Sequence, residues 1–182
     1  MTTHPQAVRM AAILHADDHC GADALLAAFA QSLQQCGWRI GGVVHERRTD
    51  AQGRKGMYLR NVNTGHEFCI SQDLGPQSQA CCVDPAGVAR ASAVLRQALH
   101  DRVDLALVNR FGALEAQGGG FAAEMLALAE AGIPFLTVVA DKHLAAWRHF
   151  TGGMADTLAP HLPALCDWSA SLPRQAVREA QA

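Results

Sequence analysis

Three short, almost wholly apolar runs, Val8 to Leu14, Val103 to Val108 and Ile133 to Val139, constrain this chain more than any other feature. A strand apolar at nearly every position needs cover on both faces, the condition of a strand in a parallel sheet flanked by helices. Segments with helical spacing lie between the runs. Leu25, Leu26, Phe29 and Leu33 recur at the helical period from Asp23 onward, and Gly37 stands where that helix ends. Asp84-Pro85, an N-cap with proline at the first helical position, opens a second helix carrying Val88, Val94, Leu95, Ala98 and Leu99. A third runs from about Phe121 to Ala131 and is closed by Gly132. Trp38 to His45 reads as a further strand, in which Gly41-Gly42 marks close backbone approach or a bulge.

This alternation makes the fold class α/β, three layers around a mainly parallel sheet. Met57 to Val62 and Glu67 to Ile70 flank Asn63-Thr-Gly65 and predict an antiparallel hairpin inserted at the sheet edge. Asp141 is expected to cap a helix whose Trp147 and Phe150, at i,i+3, belong to the core, and a last segment runs from about Ala155 to Cys166. At 182 residues the chain suits one domain, over 1–172, with a polar tail over 173–182. A net charge of -2 supplies no positive field for nucleic acid or an anionic membrane. No apolar run approaches the roughly 20 residues of a membrane span, and the N-terminus lacks the pattern of a signal peptide. Six cysteines without a C-x-x-C pair fit reduced thiols and a cytoplasmic location, and Cys81-Cys82 read as independent thiols.

In open parallel sheets, ligands gather beyond the carboxyl ends of the strands. The loops expected there carry His15, Asp17, Asp18, His19 and Cys20, then His45, Glu46 and Arg47, then Asn109 and Arg110, then Asp141, Lys142 and His143. A phosphate-binding loop between the first strand and first helix would read G-x-x-x-x-G-K-[ST]. Here the octet is Ala16-Asp-Asp-His-Cys-Gly21-Ala22-Asp23, in which the second glycine survives, the lysine is Ala22 and the hydroxyl residue is Asp23. Three aspartates around a triphosphate, with no lysine to offset them, disfavour ordinary nucleotide binding. The ligand-binding candidates are therefore Asp17, Asp18, His19, Gly21, Arg47, Asn109, Arg110, Gly118, Gly119 and Lys142, with the Gly118-Gly-Gly120 helix start offering N–H groups to an oxyanion.

Two other classes compete with this reading. An atypical hydrolase would use an aspartate of the first loop on a metal, with Asp23 and Glu115 as its catalytic candidates. A transition-metal site would draw on His15, His19 and Cys20, although loop histidines bonding to backbone are the favoured explanation of that group. Arg47, Arg48, Arg54 and Lys55 read as a solvated face partly offset by Glu46 and Asp50.

The strand–loop–helix start, the Gly37-Trp-Arg-Ile-Gly-Gly42 strand and the hairpin of residues 57 to 70 resemble the P-loop nucleoside-triphosphatase family first described from thermophiles, over about residues 8 to 140. In that family a strand ends in an acidic pair that holds magnesium and orients water. Asn109-Arg110 stands in its place, so the chain resembles a branch with degenerate Walker A and Walker B motifs. Asp73-Leu-Gly75, Cys81 with Asp84-Pro85, Val108-Asn-Arg-Phe-Gly112, Glu115 with Gly118 and Gly120, and Gly132-Ile-Pro134 resemble an uncharacterised bacterial branch, some members of which are linked with molybdenum. The two missing motifs favour a non-hydrolysing P-loop-like protein for a small anionic ligand or a protein partner, with molybdate or a divalent metal ion as the candidate cofactors. The alternative is a magnesium-dependent nucleoside triphosphate hydrolase. Neither nucleic acid nor membrane is expected as a partner, and a homo-oligomer is compatible with the sequence.

Overall fold

The computed structural model describes residues 9–16, 21–49, 51, 53, 55–71 and 83–174. Its strands are β1 (Met10–His15), β2 (Ile40–Thr49), β3 (Lys55–Asn61), β4 (Glu67–Cys69), β5 (Leu105–Phe111), β6 (Phe135–Ala140) and β7 (Asp156–Leu158). The helices are α1 (Gly21–Gln35), α2 (Pro85–His100), α3 (Ala113–Ala116), α4 (Ala122–Glu130), α5 (Leu144–Phe150) and α6 (Leu162–Ala170). One sheet takes the order β4-β3-β2-β5-β6-β1-β7. β2, β5, β6, β1 and β7 run parallel, and β3 and β4 add to β2 as an antiparallel extension.

Alternation along the strands divides the core in two. Met10, Ala12, Ala106, Val108, Phe135 and Val139 meet Val88, Ala91 and Leu95 of α2, Met125 and Leu128 of α4, and Trp147 of α5. Their neighbours Ala11, Ile13, Leu105, Leu107, Leu136 and Val138 meet Leu26, Phe29 and Leu33 of α1 and Leu165 and Trp168 of α6. The apolar runs are therefore strands covered on both sides, as their composition requires. Trp147 is a core residue, edge-on to Phe111 at 5.2 Å between ring centroids. Asp84 caps α2, accepting hydrogen bonds from the Ala86 and Gly87 N–H groups at 3.0 Å. Gly42 lies so near β5 that a Cβ there would sit 1.9 Å from the Leu107 carbonyl oxygen, and its φ of +118° independently favours glycine.

The strands differ from the sequence reading at their ends. β2 continues past His45 to Thr49 and β5 past Val108 to Phe111, so Glu46, Arg47, Asn109 and Arg110 are strand residues, not loop residues. Polar side chains disguise both extensions because they lie at the sheet's carboxyl edge and on the uncovered extension, where apolar content is not required. On that extension Arg48 pairs with Glu46 at 2.6 Å and with Glu67, and Arg60 pairs with Glu46. The last segment is not continuous: β7 joins β1 before α6 begins. Asp141 starts a 3-10 turn, Asp141–His143, that leads into α5. Among the described residues no helix is long and apolar enough to cross a membrane.

Candidate functional site

The first turn of α1, which follows β1 in the chain, meets one side chain from β2 and one from β5. Asp23, in the first turn of α1, is buried. Arg110 of β5 donates to it through Nε, 2.9 Å from Oδ1 and 3.1 Å from Oδ2, and through Nη2, 2.6 Å from Oδ2. His45 of β2, also buried, places Nδ1 3.1 Å from the same Oδ2. A carboxylate accepting a planar fork and an imidazole N–H is well matched in both charge and direction. Burial alone would raise the Asp23 carboxyl, but the hydrogen bonds from His45 and Arg110 and their charge outweigh it, holding the group below the usual carboxylate range.

Arg110 reaches this cluster because β5 is irregular. Leu107 is opposite Leu136 and Arg110 opposite Val138, so Val108 and Asn109 together face Thr137. One extra residue in a strand reverses the face of everything beyond it. Arg110 thus shares the α1 face with Val138, while Phe111 shares the other with Val139. The Asn109 side-chain oxygen, next to this guanidinium in sequence, is buried and has no hydrogen-bond partner among the described residues. Arg110 Nη1 takes no part in the Asp23 contacts.

A second buried carboxylate lies just past β5. Glu115 accepts the Gly112 N–H at 2.9 Å and the Phe121 N–H at 3.2 Å, one on each oxygen. Burial pushes its carboxyl up, and these backbone donors do not bring it back to the ordinary value. A Cβ at Gly120 would lie 2.0 Å from Glu115 Oε1, so glycine there is what lets the loop close over the carboxylate. The same loop alters one expectation. The Gly118 and Gly119 N–H groups are not free for an oxyanion, because they donate to the Glu115 carbonyl at 3.0 Å and the Leu114 carbonyl at 2.8 Å. Glycines at a helix start do not reveal whether the preceding loop has already taken their donors.

Of the other candidates, Gly21 is the exposed first residue of α1, Arg47 is exposed within β2, Lys142 is exposed in the turn after β6, and His15 is buried at the end of β1. Asp17, Asp18, His19 and Cys20 lie outside the described residues, as do Cys81, Cys82 and the tail from 175 onward. Among the described residues no three His, Cys, Asp or Glu side chains come together as a metal site. The residue that sequence reasoning left out of its binding set is His45. Its signal was a histidine ending the Val43-Val44 run, where it is close enough to the sheet to be buried.

The comparisons agree with this architecture. A solution structure of a human cancer-related nucleoside triphosphatase superposes with a TM-score of 0.60 over 85% of this chain and 88% of that one, at 16% identity, which shows a shared α/β fold. The molybdenum import ATP-binding protein ModC 2 of Bradyrhizobium diazoefficiens is 44% identical over 153 residues, 82% of this chain. The matched stretch is 17% of that relative's length. Residues 10–168 match the family described as "Protein of unknown function (DUF2478)", and the chain belongs to that family.

Proposed function

We propose that this chain is a non-hydrolysing P-loop-like domain that binds a small oxyanion or a protein partner at the carboxyl edge of its sheet and acts in molybdenum metabolism. The observation that carries the reading is the Asp23–Arg110–His45 cluster. Asp23 stands where a phosphate loop has its metal-binding hydroxyl, and Arg110 stands in the acidic pair of the resembling family. The two positions that would together hold magnesium instead hold each other, at 2.6 Å. A divalent ion between them would meet a guanidinium, and breaking the buried pair costs about 3–5 kcal/mol.

Arg110 Nη1, with Arg47 and Lys142 at the same edge, supplies cationic donors of the kind that tetrahedral oxyanions accept, and the unpartnered Asn109 oxygen supplies an acceptor for a protonated one. The molybdenum link is supported by the ModC 2 relative, in which the matched stretch is one part of a longer polypeptide. On that ground the protein partner is the ATP-binding module of an importer. A thermal-shift series tests the reading. Molybdate or tungstate is expected to raise the melting temperature, and ATP or GTP with magnesium is not. The reverse pattern would favour the magnesium-dependent hydrolase, the second reading, which the relative's name as an ATP-binding protein supports.

A further inference from the structure

We propose that Thr137 of β6 is a positioning residue: its hydroxyl fixes the β5 bulge and thereby decides which face of the sheet Arg110 serves. The inference rests on the Asp23–Arg110 cluster being the heart of the site, but not on what binds there.

The bulge puts two residues of β5 opposite one of β6, and an extra residue in a ladder leaves backbone groups without their regular partners. Thr137 is the residue they face. Its side chain is fully buried, where a hydroxyl without a partner is costly, and it donates to the backbone carbonyl of Asn109. Each group therefore answers the other's need: the carbonyl displaced by the bulge gains a donor, and the hydroxyl gains an acceptor. In a regular register Asn109 would face Val138 on the α1 side, and Arg110 would face Val139 on the side of Phe111 and Trp147, away from Asp23. That alternative leaves Asp23 without its guanidinium and puts a cation into an aromatic core. The Thr137 hydroxyl is a side-chain contact that ties the two strands together at the irregularity.

The test is a double-mutant cycle between Asp23 and Arg110, using Asp23→Asn, Arg110→Met and the pair, measured by urea unfolding in three backgrounds: wild type, Thr137→Val and Thr137→Ser. Valine keeps the branched shape without the hydroxyl, and serine keeps the hydroxyl. The Asp23–Arg110 coupling is expected to fall at least about tenfold as an equilibrium constant, about 1.4 kcal/mol, with valine and to persist with serine. The Arg110 Nε–H proton resonance should likewise exchange faster in Thr137→Val and recover in Thr137→Ser, a change that a general loss of packing does not produce. Should Thr137→Val fail to fold, Thr137→Ala carries the same comparison against serine. Coupling and resonance unchanged without the hydroxyl, or lost equally with serine, overturn the proposal. No ligand enters the experiment, so its outcome is separate from whether an oxyanion binds.

Discussion

Among the described residues, two carboxylates, Asp23 and Glu115, are buried near the carboxyl edge of this sheet, and they are held in opposite ways. Asp23 is gripped by a guanidinium fork and an imidazole, Glu115 by two backbone N–H groups. Burial opposes ionisation of both. At Asp23 a full positive charge at hydrogen-bond distance overcomes it. At Glu115 neutral donors do not, although His143 adds a favourable charge. Asp23 is thus an ionised partner in a charge cluster that ties α1, β2 and β5 together, whereas Glu115 is a staple that closes the loop after β5. The first joins three elements through charge, and the second closes one loop through neutral donors.

The sharpest way to break this contrast is to remove the guanidinium. Arg110→Met is expected to cost about 3–5 kcal/mol in urea unfolding, because Asp23 would remain buried without its counter-ion, and Asp23→Leu added to Arg110→Met should recover much of that. A cost below about 1 kcal/mol would mean that the cluster is loosely held and solvated. Next in size is Gly120→Ala, expected to cost about 2–3 kcal/mol because the new methyl meets a carboxylate that cannot leave without orphaning two N–H groups. Gly118→Ala, also at positive φ but in open space, should cost about 1 kcal/mol, so equal losses would refute the staple.

The smaller effect lies in the pH dependence. The Asp23 carboxyl is depressed in the folded state, so its stabilisation is complete above the unfolded value of about 3.9 and is lost as pH falls through the folded value. Glu115 is raised, so it favours the fold below its unfolded value of about 4.3 and loses that contribution as pH rises through the folded value. Unfolding free energies measured from about pH 3 to pH 7 should show Asp23→Asn flattening the loss on the acid side. Glu115→Gln should be relatively more favourable at the upper end than at the lower. Slopes of the same sign in both variants would remove the distinction.

The layers were legible in the sequence because burial on both faces demands a composition that few other structures tolerate, as in Val103 to Val108 and in the Leu26, Phe29 and Leu33 stripe of α1. The hairpin was legible through its turn residues. What escaped lies at strand ends and irregularities. β7 contributes three residues, too few for a period. The bulge at Val108–Asn109 is marked by neither glycine nor proline, so nothing local predicts that Arg110 rather than Asn109 turns toward α1. Asp23, Asn109 and Arg110 were identifiable as departures from a phosphate-binding pattern, but their meeting with His45 depends on that one-residue shift and on the crossover that brings β2 beside β5.

In the function proposed above, an internal ion cluster stands in for the groups that would grip and cleave a triphosphate. That function is tested most directly by titrating the purified chain with ATP and with GTP in the presence of magnesium while following inorganic phosphate release. No micromolar binding and no turnover above the uncatalysed background are expected. Micromolar binding accompanied by phosphate release that Asp23→Ala abolishes would contradict the proposed function.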